Sequence, residues 1–274
     1  MKKLLLLLLL GCPLLASAQR KPTLRGSRVV TEVKKELPPF NAISLVGDLE
    51  ISLKRSFGPG YSLVADDNLV DVLKFEVVDS TLVISSYYDI RARKQLDIQV
   101  EYTHLKAISL KAGSVTTMDV IESEALFVDG FNTARLDLRA KGGTMDINLE
   151  GSSGGNFNVD VDSLAVSMGD RAKAYLYSVG ETSVLDLEGQ SSLTLEGSAN
   201  KVQLQMQGNA KYKGETLEAG DMVIQMQQDP TAHVQAYGQL ELSLKGNAKV
   251  YLFGTPSILV HEFLDAVQVI KRLP

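Results

Sequence analysis

The segment Leu204-Gln-Met-Gln-Gly-Asn-Ala-Lys211 has a counterpart in Leu242-Ser-Leu-Lys-Gly-Asn-Ala-Lys249, with an identical Gly-Asn-Ala-Lys turn. A third segment of the same apolar-x-apolar-x-Gly form ends at Gly189. The residue numbers of the glycines in these segments, 189, 208 and 246, are separated by one interval of 19 and one of twice 19. One turn is therefore missing from the series, and it falls near positions 227–229. A strand-and-turn unit that recurs about every 20 residues predicts a solenoid whose coils stack in register.

The corners of such a solenoid need residues that tolerate unusual backbone angles. Glycine adopts these angles without steric cost, and asparagine is a common turn residue. The two asparagines stand two coils apart in this register, so turn chemistry explains them without a direct contact between their side chains. The residues for which we predict structural roles in the turns are Gly189, Gly208, Gly246, Asn209 and Asn247.

Apolar and polar residues alternate from Phe40 onward, and a period of two predicts strands with one buried face. Clear examples are Leu164-Ala-Val-Ser-Met168 and Met222-Val-Ile-Gln-Met226. One short helix is predicted near residues 67–75, where three apolar side chains share a face behind an aspartate cap. The predicted fold is all-β, a parallel β-helix-like solenoid with glycine turns. A β-sandwich is the alternative, since it also contains many short alternating strands.

Residues 1–18 have the form of a secretory signal peptide. A basic start precedes an apolar run and an Ala16-Ser-Ala18 cleavage site, so the predicted mature chain begins at Gln19. Cys12 offers an alternative, in which this cysteine is lipidated and anchors a lipoprotein. In both cases we expect an exported protein, located in the periplasm, at the outer-membrane surface or outside the cell.

The rest of the chain divides into three parts. Residues 19–39 form a leader with six basic residues, which predicts a flexible or weakly paired tail. Residues 40–256 contain the strand repeats and form the predicted solenoid domain. Residues 257–274 are ambiguous between a strand and a short helix, and we expect them to cap the C-terminal end. No apolar stretch in these parts approaches the roughly 20 residues of a transmembrane helix.

The composition narrows the range of functions. The chain has 274 residues, a formal net charge of −5 and 45% hydrophobic residues, which together indicate a folded, acidic protein. The negative charge gives no global attraction to nucleic acid, so we expect no nucleic-acid partner. A single cysteine excludes a disulfide framework and any cysteine-based zinc or iron–sulfur site.

Two stretches, Phe40-Asn-Ala-Ile-Ser-Leu-Val-Gly-Asp-Leu-Glu-Ile51 and Val64-Ala-Asp-Asp-Asn-Leu69, stand ahead of the Leu-x-Leu-x-Gly repeats. Together with those repeats they resemble the putative auto-transporter adhesin, head GIN domain family, over roughly Pro39 to Pro256. The resemblance implies a right-handed β-helix-like fold and a secreted or envelope-associated protein of Bacteroidetes-like bacteria. It brings no catalytic residues with it.

Asp160 and Asp162 are the best candidates for catalysis in this sequence. Residues two apart on a strand share a face, and clustered acids on a β-helix face serve some enzymes as acid and base catalysts or as calcium ligands. The simpler interpretation is that both carboxylates belong to the solvated half of an alternating strand. No matching arginine or second acidic cluster lies one coil away, and the three histidines lack metal-ligand spacing. We therefore predict no enzyme activity, no cofactor and no metal site.

Lysines and tyrosines follow several of the turns. A row of lysines would form a basic edge suited to anionic glycans, and a row of exposed tyrosines would suit stacking on sugars. The alternatives are that the lysines keep the surface soluble and block edge pairing, and that the tyrosines pack against neighbours. The candidate ligand-binding residues are Lys201, Lys211, Lys249, Tyr175, Tyr212 and Tyr251.

These observations favour a non-enzymatic cell-envelope protein with an adhesin-like or scaffold-like binding role. A surface glycan or an envelope protein is the expected partner, and open solenoid ends would permit a homo-oligomer. The sequence is also consistent with two other functions. One is a carbohydrate-active β-helix enzyme that uses Asp160 and Asp162, and the other is a passive structural protein of the envelope.

Overall fold

The computed structural model describes residues 21–272 of the chain. Of these residues, 71% are in strands and 2% in helix, and the strands form a β-solenoid of about nine turns. The predicted all-β solenoid is therefore confirmed. No helix among the described residues is long and apolar enough to cross a membrane. The predicted signal peptide, its cleavage site before Gln19 and Cys12 all lie outside the described residues.

The N-terminal part of the fold, up to Tyr102, combines short strands with one four-residue helix. Its elements are β1 (Thr23–Arg25), β2 (Val30–Glu36), β3 (Ala42–Leu45), β4 (Glu50–Arg55), β5 (Gly60–Asp66), α1 (Asp67–Val70), β6 (Leu73–Val78), β7 (Thr81–Ser86), β8 (Asp89–Arg91) and β9 (Leu96–Tyr102).

The remaining strands build the regular coils, and several of them run through a bend from one face of the solenoid to the other. They are β10 (Ala107–Leu110), β11 (Ser114–Thr117), β12 (Ile121–Gly130), β13 (Arg135–Leu149), β14 (Gly154–Met168), β15 (Lys173–Leu187), β16 (Ser192–Gly208), β17 (Lys211–Gln228), β18 (Thr231–Ala236), β19 (Gln239–Gly246), β20 (Lys249–Gly254), β21 (Ser257–Asp265) and β22 (Gln268–Lys271).

Strands β13 to β17 pair in parallel, each with the equivalent strand of the next coil. The first residues of four of these strands, Gly154, Lys173, Ser192 and Lys211, lie side by side. Their numbers differ by 19, so the sequence period is the length of one coil. This parallel, in-register pairing distinguishes the fold from a sandwich of antiparallel sheets.

The hydrophobic core is a continuous stack of inward-facing side chains. On β14, alternate residues of Phe157–Val161 point inward before the bend, and alternate residues of Leu164–Met168 point inward after it. Two successive residues outside the core, Asp162 and Ser163, shift the phase of the alternation at the bend. Each apolar side chain that is fully buried in this way stabilises the fold by about 1.5–3 kcal/mol relative to exposure.

A column of residues with left-handed backbone forms the corner between one coil and the next. The residues of this corner column, all with positive φ, are Asn132, Gly151, Asp170, Gly189, Gly208, Gln228, Gly246 and Asp265. The turn missing from the sequence series thus lies at Gln228. Except for Asp265, each corner residue has a carbonyl that accepts a hydrogen bond from an N–H group of the next coil. For example, the N–H of Asn209 donates to Gly189 and that of Asn247 donates to Gln228, both at 2.7 Å.

Four corner residues are not glycine, although left-handed backbone is costly for other residues. The side chains of three of them form a hydrogen bond to the main chain of the preceding coil, and that of Asn132 donates to the carbonyl of Lys111 at 2.9 Å. The carboxylate of Asp170 accepts from the N–H of Gly151 at 3.1 Å, and that of Asp265 accepts from Gly246 at 3.2 Å. Sequence inspection for glycine alone therefore finds only part of the column.

The N-terminal end differs from two expectations. The leader was expected to be flexible or weakly paired, yet β2 pairs with β5 in antiparallel fashion along its whole length. The short helix is present, but it ends at Val70 instead of reaching residue 75. Residues from Leu73 onward form β6, which pairs with the edge of β7 that a longer helix would leave without backbone partners.

The C-terminal segment, which the sequence left open between strand and helix, consists of two strands. β21 pairs with β19, and β22 pairs with β20, both in parallel. The segment therefore adds the last coil of the solenoid. Each of the nine residues of β21 is exposed.

Candidate functional site

A groove with basic walls runs along the solenoid axis beside the corner column. It has a volume of about 980 Å³, and we call it the basic groove. Its lining consists of Arg135, Ser152, Ser153, Gly154, Gly155, Arg171, Lys173, Gln190, Ser192, Asn209, Lys211 and Lys213. The groove crosses five successive strands, so its length is about 19 Å at the usual strand spacing of about 4.8 Å.

The repeat period stacks residues with large and small side chains alternately along the groove. Cations stand on every second coil, with Gly, Ser or Thr on the coils between them. From coil to coil the row reads Arg135, Gly154, Lys173, Ser192, Lys211, Thr231 and Lys249. We call this the cation row, and its cations repeat at about 9.6 Å, twice the strand spacing.

The charged side chains that line the groove are all positive. Five arginine and lysine side chains line it, and no carboxylate does. Among the described residues none of these five side chains lies within 4.0 Å of a carboxylate. A concentration of unpaired cations on a chain of net charge −5 indicates a local site for anions.

The arginine at one end of the groove is held in place by main-chain carbonyls. The guanidinium of Arg135 donates hydrogen bonds to the carbonyls of Ser152 at 2.7 Å and Ala134 at 2.9 Å. These neutral acceptors orient the side chain without cancelling its charge. The other cations of the cation row, on β15, β17 and β20, are exposed lysines.

Aromatic side chains flank the cation row two positions further along the strands. Tyr175 follows Lys173, is 41% exposed, and donates a hydrogen bond from its hydroxyl to Glu196 at 2.6 Å. This hydrogen bond raises the pKa of the tyrosine. Tyr251 follows Lys249 in the same way, and its ring lies 4.6 Å from that of His233. Partly exposed aromatic rings therefore lie on the same outer face as the cation row, but neither tyrosine lines the basic groove.

The structure places some of the candidate residues from the sequence in or beside the groove and others elsewhere. Lys211 lies in the groove, and Lys249 continues the cation row beyond it. Lys201 lies on another row, between Thr182 and Asp221. Of the turn residues, Asn209 lines the groove, whereas the side chain of Asn247 donates to Asp229 at 2.6 Å.

Tyr212 was predicted as a ligand-binding candidate, but the structure places it in the core. Its side chain is fully buried, because it lies between the outward residues Lys211 and Lys213 and so points into the core. In the register of the coils it stacks between Leu193 and Ala232. Burial raises the pKa of its hydroxyl, which has no hydrogen-bond partner within the described residues.

The carboxylates of Asp160 and Asp162 point outward on either side of the buried Val161. Asp160 lies beside Lys141 in the sheet, and neither carboxylate accepts a hydrogen bond from another described residue. Residues 21–272 contain no cluster of three or more His, Cys, Asp or Glu side chains arranged to hold a metal ion.

The sequence interpretation missed four groove cations, Arg135, Arg171, Lys173 and Lys213. A signal for two of them was present. Lys173 and Arg135 precede Lys211 by two and four whole repeat periods, respectively. Counting back by whole coils from Lys211 would have found them, whereas the turn motif alone did not.

The class of protein that the structure defines is a β-solenoid with a lateral basic groove. The comparison with known families is more specific. Residues 39–256 match the family described as putative auto-transporter adhesin, head GIN domain, and the chain belongs to this family. A search of curated proteins gives no match.

Solved structures share the fold at low sequence identity. A putative lipid binding protein from Parabacteroides distasonis is 18% identical, with a TM-score of 0.69 over 91% of this chain and 99% of that chain. A putative adhesin from the same species is 16% identical, with a TM-score of 0.68 over 91% and 100%. A putative adhesin from Parabacteroides merdae is 14% identical, with a TM-score of 0.65 over 92% and 99%. These similarities establish the architecture.

Proposed function

We propose that this protein is an exported, adhesin-like binding protein that holds an extended acidic polysaccharide along the basic groove. The observation that carries the proposal is the cation row, in which charged side chains stand on every second coil. Membership of an adhesin family supports the general role. The predicted signal peptide supports export, and N-terminal sequencing of the cell-surface protein should give Gln19 as the first residue.

The spacing of the cations favours a linear polymer over a small anion. A compact anion would engage one lysine and its neighbours, whereas Arg135 and Lys211 stand about 19 Å apart along the axis. A chain with regularly repeated carboxylates would meet a cation at each interval of about 9.6 Å. Because each exposed ion contact contributes only about 0–1 kcal/mol, several contacts in a row are needed for useful affinity.

The lining between the cations favours sugar over lipid. Ser192, Gln190 and Asn209 line the groove and offer hydroxyl and amide groups to sugar hydroxyls. Tyr175 lies outside the lining, two residues beyond Lys173, and offers a partly exposed ring for stacking. No Leu, Ile, Val, Met or Phe side chain lines the groove, so acyl chains would find no apolar surface there.

The proposal is tested with the chain from Gln19 onward and two forms of one polymer, polygalacturonate and its fully methyl-esterified, uncharged derivative. We expect saturable binding to the acidic form, weakening as salt rises from 50 to 500 mM, and at least a tenfold lower affinity for the ester. Equal binding of both forms, or none, would contradict the proposal. Stronger binding to anionic lipid vesicles or to DNA would assign the groove to another class of ligand.

A further inference from the structure

In the part of the chain that the structure describes, one edge of β21, the last long strand, has no neighbouring strand. Within residues 21–272 it pairs with β19 alone. Five of its side chains are large, apolar and 45–50% exposed, namely Ile258, Leu259, Val260, Phe263 and Leu264. An exposed apolar strand edge is a template for pairing with another strand.

The edge strands at the opposite end of the solenoid carry charged side chains that oppose pairing with another chain. β2 pairs only with β5 among the described residues and contains Glu32, Lys34, Lys35 and Glu36. β6 pairs only with β7 and contains Lys74. Charged side chains on edge strands oppose association. The contrast between the two ends indicates that the C-terminal edge is suited to a partner strand.

A β-bulge gives β21 a symmetric pattern of inward and outward residues. Before the bulge Val260 lies opposite the core residue Leu242, and after it Phe263 lies opposite the core residue Leu244. The register shifts between these pairs, so two adjacent residues, His261 and Glu262, stand between the inward ones. The next residue on each side, Leu259 or Leu264, lies opposite an outward residue of β19.

We infer that β21 is a homodimerisation edge, where it pairs in antiparallel fashion with β21 of a second copy about a two-fold axis between His261 and Glu262. This register places Val260 opposite Phe263, both on the core face, and Leu259 opposite Leu264, both on the outer face. His261 of each copy faces Glu262 of the other, and the Nε2 atom of His261 lies 2.9 Å from a carboxylate oxygen of Glu241 in its own chain. A two-fold axis makes every one of these contacts twice.

Such a dimer would continue the sheet and its core from one molecule into the other. The two basic grooves lie away from β21, so both would stay open to ligand and would run in opposite directions. Two linked grooves on one polymer raise the avidity without any new contact to the ligand. The dimer itself does not depend on the proposed ligand.

The first test measures the molar mass of the chain from Gln19 onward by light scattering after size-exclusion chromatography, at 1 to 500 μM. We expect a twofold mass at high concentration and the monomer mass for a Leu259→Lys/Leu264→Lys variant. Both side chains point away from the core, so the substitutions leave the coil intact. Val184→Lys, at an exposed position within the paired strand β15, is the matched control and should remain dimeric.

The second test fixes the register with cysteines, since the chain from Gln19 onward contains none. The Leu259→Cys/Leu264→Cys variant should form an intermolecular disulfide on mild oxidation. Each single variant should stay unlinked, because residue 259 does not face residue 259 of the second copy. A monomeric wild-type protein at 500 μM, a dimer that survives the lysine substitutions, or linkage of a single variant would overturn the inference.

Discussion

Gln228 lies directly beside Gly208 in the corner column, and the two residues share a left-handed backbone, with φ of 74° and 79°. A glutamine therefore occupies a corner for which its neighbours use glycine. The carbonyl of Gly208 accepts a hydrogen bond from Asp229, and that of Gln228 accepts one from Asn247. The stacked main-chain hydrogen bonds thus impose the same conformation on both residues despite their different intrinsic preferences.

This relationship predicts opposite effects of two substitutions on stability. Gly208→Ala should lower the free energy of unfolding by about 1–2 kcal/mol, because alanine disfavours this backbone and its Cβ would lie 2.8 Å from the carbonyl oxygen of Gly189. Gln228→Gly should raise it by about 0.5–1 kcal/mol, since relief of strain exceeds the entropic cost of glycine. Urea unfolding measures both, and equal effects of the two variants would contradict the argument.

Charge reversal in the groove should weaken binding of the acidic polymer. Lys173→Glu/Lys211→Glu replaces two adjacent cations of the cation row, and we expect the Kd for polygalacturonate to rise at least about tenfold, equivalent to about 1.4 kcal/mol. Lys201→Glu, on a different row, is the control and should bind like the wild type. Calorimetry or interferometry measures the affinities, and a similar loss in the control would point to a general charge effect.

Filling the space between two cations should block the groove without changing its charge. Ser192 stands between Lys173 and Lys211 in the cation row, so Ser192→Trp would insert an indole where the polymer is expected to pass. We expect affinity to fall at least about tenfold with unchanged thermal stability. Thr182→Trp, an outward substitution on the row of Lys201, serves as the control. Unimpaired binding by Ser192→Trp would place the ligand elsewhere.

Acid should destabilise the N-terminal part of the fold through Asp66. The N–H of Arg93 donates to its carboxylate at 2.8 Å, and that of Lys94 does so at 3.2 Å. These hydrogen bonds, that from Arg93 above all, hold the pKa of Asp66 below its ordinary value of 3.8, although burial opposes them. The stabilisation is therefore complete above that value and is lost as the pH falls through the lower pKa of the folded state.

Asp66→Asn isolates this contribution. We expect a lower Tm at pH 7 and a weaker decline of Tm between pH 4.5 and pH 2 than in the wild type. Asp48→Asn changes an exposed aspartate with no hydrogen-bonded side-chain partner among the described residues and should preserve the wild-type profile. Identical pH profiles for Asp66→Asn and the wild type would show that another group governs the acid transition.

Incubation with acidic or neutral polysaccharides, with and without calcium, should release no shorter sugars. Asp160 and Asp162 are exposed, and Glu122, an acid that lines the same surface concavity as Asp160, is already paired with Arg55 and Lys141. Chromatography of the products measures the outcome. Cleavage by the wild type that disappears in Asp160→Asn or Asp162→Asn would establish the alternative of a carbohydrate-active enzyme.

Much of the fold was predictable because the coils repeat local rules. The alternation of Leu164–Met168 reports which side chains face the core, and the spacing of Gly189 and Gly208 reports the length of a coil. The same alternation would have assigned Tyr212 to the core, since it directly follows the outward-facing Lys211. The groove was harder to find, because Arg135 and Lys211 are four coils apart in sequence and come to lie along one axis only when the coils stack.

The sequence predicted a β-solenoid with turns at a fixed period and kept a β-sandwich only as the alternative, since side-chain alternation and backbone preference act over a few residues. Only the folded structure showed that β2 pairs with β5, that the helix ends at Val70 and that β21 pairs with β19 alone among the described residues. These outcomes depend on which strand is available to satisfy backbone hydrogen bonds. The groove likewise exists only in three dimensions, because stacking places charges from separate coils side by side.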